Sequence, residues 1–321
     1  MACSSGKGRP RPLGAAHASP VEALLVSEGF DADVHPNEPM ARHTAYRIGG
    51  PARFLVNAHS LGALMQLVAL CRSEGVPWVV VGRGSNLLVA DEGYPGVVIT
   101  LGRDFRNLRL DRASGWCVAG GGALLATAVQ EAFRAGCAGL EFAVGTPGTI
   151  GGALRMNAGT REVGIGSRVA SVTVLGPDGA LTRRLGDEVS WGYRRSSFSP
   201  DEAIVECELA LEPGDALAIQ RTMESALARR KRTQPLGQPS CGSVFRNPEG
   251  ASVGALVEEL GLKGARHGGA QVSEVHGNFI VNAGGAAARD VRALIDLVQT
   301  KVLEAYGIEL ATEVRFLGFE A

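Results

Sequence analysis

Gly82, Gly84, Ser85 and Asn86 follow the apolar run 76–81 and could form an anion-binding turn. Closely spaced small residues leave several main-chain N–H groups free to converge on a pyrophosphate. Ser85 and Asn86 could add side-chain hydrogen bonds. A Rossmann site is disfavoured, because the third glycine of G-x-G-x-x-G is missing and the following residues are apolar and strand-like. A tight turn between two strands explains the same residues, and both interpretations stay open.

A second glycine-rich segment, 145–159, contains five glycines, one proline and two threonines, with Gly145, Thr149, Gly151 and Gly152 among them. Each glycine in a packed element costs backbone entropy on folding. This density therefore predicts that the backbone lies along a long, flat ligand and that the segment is not a packed core element.

Arginine and carboxylate side chains in two further segments could bind an anion. Tyr193 precedes Arg194 and Arg195, and adjacent arginines beside hydroxyls can bind a carboxylate or phosphate. A solvated loop is the alternative. In the extended segment 312–317, alternation places Glu313 and Arg315 on one face. They form either an exposed salt-bridged strand or a pair that enters a shared cleft.

Ser243 follows Cys241 and Gly242 and could be a nucleophile, but G-x-S-x-G is absent. Cys241 could act with His267 or His276, although nothing local supports that pairing, and we interpret Cys241 as structural. The six histidines include no H-x-x-x-H or H-x-H, so no metal site is predicted.

The composition narrows the class of protein. The 321 residues carry 32 Lys+Arg and 33 Asp+Glu, and this balance disfavours a dedicated nucleic-acid binder. The chain lacks an apolar run of about 18 residues, so we expect no membrane insertion. The six cysteines include no C-x-x-C pair, and no signal peptide precedes them, which predicts reduced thiols in a cytoplasmic protein.

Hydrophobic periodicity predicts mixed α and β structure without repeats. A compositional change near Pro213 marks a domain boundary, and residues 1–20 read as a flexible tail. The predicted helices cover 21–30, 61–74, 123–135, 251–262 and 287–306, and a further helix follows 212–215 and ends with the basic residues 229–232. The predicted strands cover 76–81, 96–101, 116–119, 279–281 and 312–317, with a hairpin formed by 169–175 and 180–185.

Six segments, taken in order, resemble the UDP-N-acetylenolpyruvoylglucosamine reductase (UDP-N-acetylmuramate dehydrogenase, MurB) family over residues 37–318. They are TAYRIGGP at 44–51, GRGSNLL at 82–88, LEF at 140–142 with the glycines of 145–159, YR at 193–194, GSVFRNP at 242–248 and EVRF at 313–316. The resemblance implies an α+β fold with a two-lobed FAD-binding domain of the PCMH/vanillyl-alcohol-oxidase type at 21–213. It also implies a C-terminal α+β substrate-binding domain at 214–304 and a final strand, within 305–321, that returns to the first lobe.

The resemblance also implies a reaction. NADPH reduces FAD, and flavin N5 gives a hydride to the vinyl carbon of UDP-N-acetylglucosamine enolpyruvate, which makes UDP-N-acetylmuramate for peptidoglycan precursor synthesis. Charge that develops next to the carboxylate needs a fixed cation. When each motif is matched to the family's, the resemblance implies that Arg194 is the catalytic arginine, Glu313 its acidic partner and Ser243 the proton donor. A cytoplasmic monomer is expected.

The ligand contacts are matched in the same way. Gly82, Gly84, Ser85 and Asn86 would hold the FAD pyrophosphate, while Gly145, Thr149, Gly151 and Gly152 would lie along the cofactor. The residues matched to the substrate are Tyr193, Asn247 and Arg315, with Arg232 or Lys231 at the diphosphate.

The chain departs from the family pattern at three places. Residues 195–242 are too few for a substrate-covering tyrosine insertion, which indicates the shorter class of the family. Thr233 replaces a lysine that often precedes Gln-Pro, and Thr160-Arg161-Glu162 replaces Ala-Tyr-Gly. Two alternatives remain: another flavin oxidase of this fold, without NADPH or UDP binding, and a degenerate nucleotide-binding or regulatory protein. Retention of Arg194, Ser243 and Glu313 argues against both.

Overall fold

A computed structural model describes residues 19–319 of the chain. Of the predicted N-terminal tail only Ser19 and Pro20 are described, and Cys3 also lies outside the described residues. The helices are α1 Pro20–Leu25, α2 Leu61–Ser73, α3 Leu125–Ala135, α4 Ile150–Arg155, α5 Ala216–Thr233, α6 Val253–Glu259 and α7 Ala288–Tyr306. Short 3₁₀ turns cover Met40–Arg42, Arg103–Arg106, Glu141–Ala143, Ile165–Arg168 and Gly186–Glu188.

The strands are short and distributed among several sheets. They are β1 Ala32–Pro39, β2 Pro51–Ala58, β3 Trp78–Val80, β4 Leu87–Val89, β5 Tyr94–Leu101, β6 Leu108–Leu110, β7 Trp116–Gly120, β8 Cys137–Ala138, β9 Val169–Leu175, β10 Leu181–Leu185, β11 Trp191–Gly192, β12 Arg195–Ser196, β13 Ala203–Ala210, β14 Glu212–Pro213, β15 Arg266–His267, β16 Ala270–Val272, β17 Ile280–Asn282 and β18 Arg315–Leu317.

The first lobe is a four-stranded sheet in the order β1-β2-β5-β3, covered by α1 and α2. The Ser60 hydroxyl caps α2 by accepting from the Ala63 N–H. Leu64, Leu67 and Val68 recur at helical spacing and are fully buried against the sheet. The helix predicted at 61–74 is thereby confirmed. The helix predicted at 21–30 ends at Leu25, and Gly29 with φ +90° leads the chain towards β1.

The second lobe is an antiparallel sheet in the order β10-β9-β13-β7-β6, packed against α3, α4 and α5. The predicted hairpin of β9 and β10 is confirmed. Helix α5, which the predicted boundary at 214 assigns to the substrate-binding domain, buries Ile219 and Met223 in the core of the second lobe. The helix packs there against α3 and the 3₁₀ turn Glu141–Ala143.

The third lobe is the small sheet β15-β16-β17 with α6 and α7. Its core also includes Tyr46, Ile48 and Leu88 from the first lobe. The last strand, β18, pairs in parallel with β4, which brings residues 315–317 against 87–89. The first and third lobes therefore share one continuous core beside the segment that carries Glu313.

Segment 145–159 is more ordered than its glycine content predicts. Helix α4 begins at Ile150, and Ile150 and Leu154 are fully buried. A Cβ atom on Gly151 would lie 3.0 Å from the Gly121 carbonyl oxygen. The interpretation of this segment as unable to join a packed element was wrong: its glycines allow the helix to approach the neighbouring backbone closely.

Residues 19–319 contain neither a membrane-spanning helix nor a cluster of metal-binding side chains. No helix there is both long enough and apolar enough to cross a membrane. No group of three or more His, Cys, Asp or Glu side chains there could hold a metal ion. The five described cysteines are buried and unpaired.

Candidate active site

A cavity of about 840 Å³ lies between the first and second lobes. Small-molecule and cofactor sites commonly fall between roughly 300 and 1,000 Å³, so the cavity can hold a large cofactor. Five of the residues predicted to contact FAD line it, together with two further glycines. They are Gly82, Ser85, Thr149, Gly151 and Gly152, with Gly121 and Gly122.

The turn after β3 has the properties of an anion cradle. Between residues 19 and 319, none of the main-chain N–H groups of 82–85 donates to a main-chain carbonyl. A Cβ atom on Gly82 would lie 2.6 Å from Thr149 Oγ1, so any larger residue would fill the space between the two lobes. Free N–H groups in a concave turn bind phosphate oxygens. The wall of the cavity therefore fits a flat, dianionic dinucleotide such as FAD.

Two predicted cofactor glycines are absent from the cavity wall. Gly84 is buried with φ +58°, and a Cβ atom there would lie 2.1 Å from the His43 carbonyl oxygen. Gly145 has φ +71° and packs against Leu227 and Arg230. Both glycines allow a close approach of backbone or side chains, which shapes the site without lining it.

Asn86 connects the cofactor turn to the C-terminal segment. Its Nδ2 donates to the Glu313 carbonyl oxygen at 2.9 Å, and its own carbonyl accepts from the Arg315 N–H at 3.0 Å. These bonds give Asn86 a structural role in addition to the pyrophosphate contact expected of it. Because residue 313 lies 227 positions further along, no local pattern could have revealed this role.

Arg194 and Glu313 form an ion pair at the end of this connection. Strands β11 and β12 form a two-residue hairpin whose turn is Tyr193-Arg194. Arg194 has φ +56°, a conformation that costs a non-glycine residue roughly 1–3 kcal/mol. Its Nε lies 3.1 Å from Glu313 Oε1, and the two side chains are 24% and 12% exposed. The contact lacks hydrogen-bond alignment, so the Arg194 Nε has no hydrogen-bond partner among the described residues.

The charges around Glu313 are unbalanced. Burial raises the pKa of the Glu313 carboxyl above its usual value, and the opposing effects of Arg194 and Arg246 do not cancel it. Burial also lowers the pKa of the nearby Arg230 guanidinium, and the charges of Arg194 and Arg229 lower it further. The Glu313 carboxylate thus interacts with two guanidinium groups, Arg194 and Arg246, and Arg194 also interacts with Arg230; this excess of positive charge favours binding of a further anion.

The Ser243 turn is attached directly to the Glu313 segment. The carbonyl oxygen of Val244, the next residue, accepts from the Glu313 N–H at 2.7 Å and from the Val314 N–H at 3.3 Å. Ser243 itself is half-buried. Burial raises the pKa of the Cys241 thiol to about 12, so the thiol stays protonated at neutral pH and is not a nucleophile. Its interpretation as structural agrees with this.

Arg230, which the sequence interpretation missed, is a half-buried arginine near the end of α5. Its Nη1 donates to Thr146 Oγ1 at 3.3 Å, whereas Arg232 is exposed. Helical spacing from the buried Ile219 and Met223 continues to Arg230, and this signal was available in the sequence.

The remaining predicted substrate residues are Tyr193, Asn247 and Arg315. The Tyr193 ring contacts two arginines, with Arg161 Cζ 4.8 Å and Arg194 Cζ 5.8 Å from its ring centre. Asn247 Oδ1 accepts from the Val253 N–H at the start of α6, so that oxygen is already bound. Arg315 is exposed, and its charge acts on Arg155, which lines the cavity.

Arg155 and Asn278 position the site and were also missed. Arg155 donates to the carbonyl oxygens of Phe198, Ser199 and Glu202, which fixes the chain after the Arg194 hairpin. Asn278 is 2% exposed and binds both main-chain polar groups of Phe245. Contacts to distant main-chain groups leave no pattern in the sequence.

The fold and the glycine-lined cavity define a two-lobed FAD-binding protein with an appended α+β domain. A model of the FAD-binding domain matches residues 52–184, and a model of the C-terminal domain of UDP-N-acetylenolpyruvoylglucosamine reductase matches residues 234–317. These matches confirm the predicted fold class and identify the chain as a flavoprotein oxidoreductase.

Curated relatives agree with this class over nearly the whole chain. The UDP-N-acetylenolpyruvoylglucosamine reductase of Heliobacterium modesticaldum is 48% identical over 91% of this chain and 93% of its own length. The Bacillus subtilis reductase is 42% identical over 88% and 93%. The crystal structure of the Thermus caldophilus enzyme (MurB) superposes with a TM-score of 0.77 at 38% identity, covering 89% of this chain and 98% of that one. The chain belongs to the UDP-N-acetylenolpyruvoylglucosamine reductase family.

Proposed function

We propose that this chain reduces UDP-N-acetylglucosamine enolpyruvate to UDP-N-acetylmuramate with NADPH, through bound FAD. The observation that carries the proposal is the Arg194–Glu313 pair. Hydrogen bonds to main-chain groups of the Glu313 segment join it both to the cofactor turn and to the Ser243 turn. Membership of the family supports the same activity. The cofactor, a fixed cation and a proton donor would thereby meet at one opening.

The cavity between the first and second lobes would hold the cofactor. The N–H groups of 82–85 would bind the pyrophosphate, and Thr149, Gly151 and Gly152, which line the cavity, would lie along FAD. Bound FAD would supply the two-electron chemistry between NADPH and the substrate double bond. The protein contributes a cavity wall without side chains at the glycines, which allows close approach of the backbone.

Arg194 binds the enolpyruvyl carboxylate and stabilises the negative charge that develops on it. A guanidinium fixed before the reaction needs no reorganisation when the charge appears, and this is commonly the largest catalytic contribution. The strained turn and the Glu313 contact both restrict where the Arg194 head group can lie. Glu313 thus holds the Arg194 guanidinium in place and stabilises the protonated intermediate.

Ser243 delivers the proton to the carbon next to the carboxylate. A serine hydroxyl is a weak acid, so it must be aligned with the acceptor carbon and polarised by nearby cations. Attachment of Val244 to the Glu313 segment keeps Ser243 in a constant position relative to Arg194.

Arg230 replaces Arg232 as our candidate for the substrate diphosphate. It is a half-buried cation whose neighbours include other arginines, and the hydroxyl of Thr146 is its hydrogen-bond acceptor. A guanidinium forms a planar fork that matches phosphate oxygens. Tyr193 and Arg315 flank the same opening and are the other proposed substrate contacts.

An anaerobic absorbance experiment tests the proposal in two steps. NADPH should bleach the flavin of the purified holoenzyme, and UDP-N-acetylglucosamine enolpyruvate should restore its colour. A flavin that bleaches and never recolours would refute the proposed acceptor. Ser243→Ala should leave bleaching intact and slow recolouring about 10²–10⁴-fold, the usual contribution of a proton donor.

Ser252→Ala is the matched control for Ser243→Ala. It removes a serine of the same lobe whose side chain makes no capping hydrogen bond to α6. This variant should recolour at the wild-type rate. Equal slowing of bleaching and recolouring in Ser243→Ala would contradict the role of Ser243 as proton donor.

A further inference from the structure

Arg161 joins the second lobe to the segment of the third lobe that follows Ser243. It lies in the turn 160–163, which is braced internally: the Thr160 N–H donates to the Val163 carbonyl at 2.7 Å, and the Val163 N–H donates to Thr160 Oγ1 at 3.2 Å. From this turn Arg161 Nη2 donates to the carbonyl oxygens of Asn247 and Pro248, at 2.7 and 3.0 Å.

The same guanidinium lies over the ring of Tyr193, with Cζ 4.8 Å from the ring centre. Arg194, whose head group contacts Glu313, lies 5.8 Å from that centre. The aromatic ring therefore contacts both a cation that binds the third lobe and the cation of the ion pair. Cation–π contacts favour this arrangement, and a planar guanidinium also stacks on the ring.

We propose that Arg161 is a positioning residue for the substrate half of the reaction, an inference that rests on the proposed function. It holds the segment after Ser243 against the second lobe and keeps the Tyr193 ring beside Arg194. Ser243 and Arg194 come from different lobes, so their relative placement depends on the contacts that join those lobes. Arg161 makes one of these contacts through the carbonyl oxygens of Asn247 and Pro248, in the segment that follows Ser243.

The exposed position of Arg161 makes it suitable for substitution. Arg161→Ala removes two charge-assisted hydrogen bonds and the ring contact while leaving the buried core unchanged. We expect NADPH to bleach the flavin within about twofold of the wild-type rate. With flavin reduced by dithionite, recolouring should require about tenfold more UDP-N-acetylglucosamine enolpyruvate, because hydrogen bonds to charged groups are the stronger class.

Two further variants separate positioning from charge alone. Arg161→Lys keeps the positive charge and loses the planar fork, so it should recover only a minor part of the loss. In a Tyr193→Leu background, Arg161→Ala should cost less than it does in the wild type, because the ring contact is already gone. Arg134→Ala is the control, since Arg134 is an exposed arginine of the second lobe that pairs with Glu131.

A readout without substrate keeps this inference distinct from the proposed function. Amide hydrogen exchange of the holoenzyme in 190–197 and 243–252 should be faster in Arg161→Ala than in Arg134→Ala. Failure of the wild type to recolour would refute the proposed function. Unchanged exchange in Arg161→Ala would separately refute the contact between lobes. The positioning role would be overturned if Arg161→Ala showed faster exchange with an unchanged substrate dependence, or if Arg161→Lys recovered the loss in full.

Discussion

Replacing Asn278 by alanine tests how the Ser243 turn is held. The Asn278 side chain is 2% exposed and reaches from the segment before β17 to residues 244–245. Its Oδ1 accepts from the Phe245 N–H at 2.9 Å, and its Nδ2 donates to the Phe245 carbonyl at 2.8 Å. Its main-chain carbonyl also accepts from the Val244 N–H at 2.9 Å. The side chain thus supplies both partners of a buried main-chain unit two residues after Ser243.

The expected magnitude follows from the two polar groups that lose their partners. Leaving a buried donor or acceptor unsatisfied costs about 1–3 kcal/mol, so Asn278→Ala should lower the free energy of unfolding by about 2–6 kcal/mol. The turn would also move relative to Arg194. A displacement of about 1 Å in a positioned group can reduce the rate by about 10²-fold, and recolouring of reduced flavin should slow by that order.

Urea unfolding and anaerobic recolouring measure these two effects on the same holoenzyme. Asn107→Ala is the matched control, because Asn107 is exposed and its side chain donates only to the nearby Asp104 carbonyl. This control should change stability by less than about 1 kcal/mol.

Asn278→Asp should keep the contact to the Phe245 N–H and lose the donor to the Phe245 carbonyl. Its defect should therefore lessen as the pH falls and the carboxyl becomes protonated.

A loss of less than about 1 kcal/mol in Asn278→Ala would refute the role of this side chain as the partner of a buried main-chain unit. A stable Asn278→Ala variant that recolours at the wild-type rate would refute the link between this contact and the position of Ser243. Equal defects at low and high pH in Asn278→Asp would show that the donor to the Phe245 carbonyl is unimportant.

Two other substitutions test the charges that join the lobes. In the wild type, the rate of recolouring should change with pH at a value above the usual range for glutamate, because burial raises the pKa of Glu313. In Glu313→Gln, this change of rate on the acid side of the pH profile should disappear. Since this folded-state pKa exceeds the unfolded one, the stability of the wild type relative to Glu313→Gln should be greatest at low pH and fall as pH rises through the folded-state pKa, as measured by urea unfolding. In Asp91→Ala, α7 loses the carboxylate that accepts from the Ala288 and Arg289 N–H groups at 2.7 and 3.1 Å. The free energy of unfolding should fall by about 1 kcal/mol, and an unchanged value would contradict a capping role across the lobes.

Elements with strong periodicity could be predicted from the sequence. Helices α2 and α7 begin and end within one residue of the predicted ranges, because their buried residues recur at helical spacing. Helix α4 was missed, since a helix of six residues that contains Gly151 and Gly152 has almost no periodic signal. The motif resemblance marked both Arg194 and Glu313, which the structure brings within 3.1 Å.

The contacts that hold the site together could not be predicted. Asn86 binds residue 313, and Asn278 binds Phe245, so each depends on chain segments that meet only after folding. Their partners are main-chain groups, which have no side-chain identity to recognise. Arg230 is different, because the helical spacing that begins at Ile219 indicated which basic residue of α5 faces inward.

The arrangement of charge explains why the site depends on so many main-chain contacts. Arg194, Arg230 and Arg246 act on one another or on Glu313, and one carboxylate cannot neutralise three guanidinium groups. Repulsion among these cations opposes their convergence in the free protein. The hydrogen bonds of Asn86, Val244 and Asn278 hold the chain segments around these side chains in place despite that repulsion. An anionic substrate would then bind to cations that are already positioned, and its charge would relieve the repulsion instead of requiring the site to reorganise.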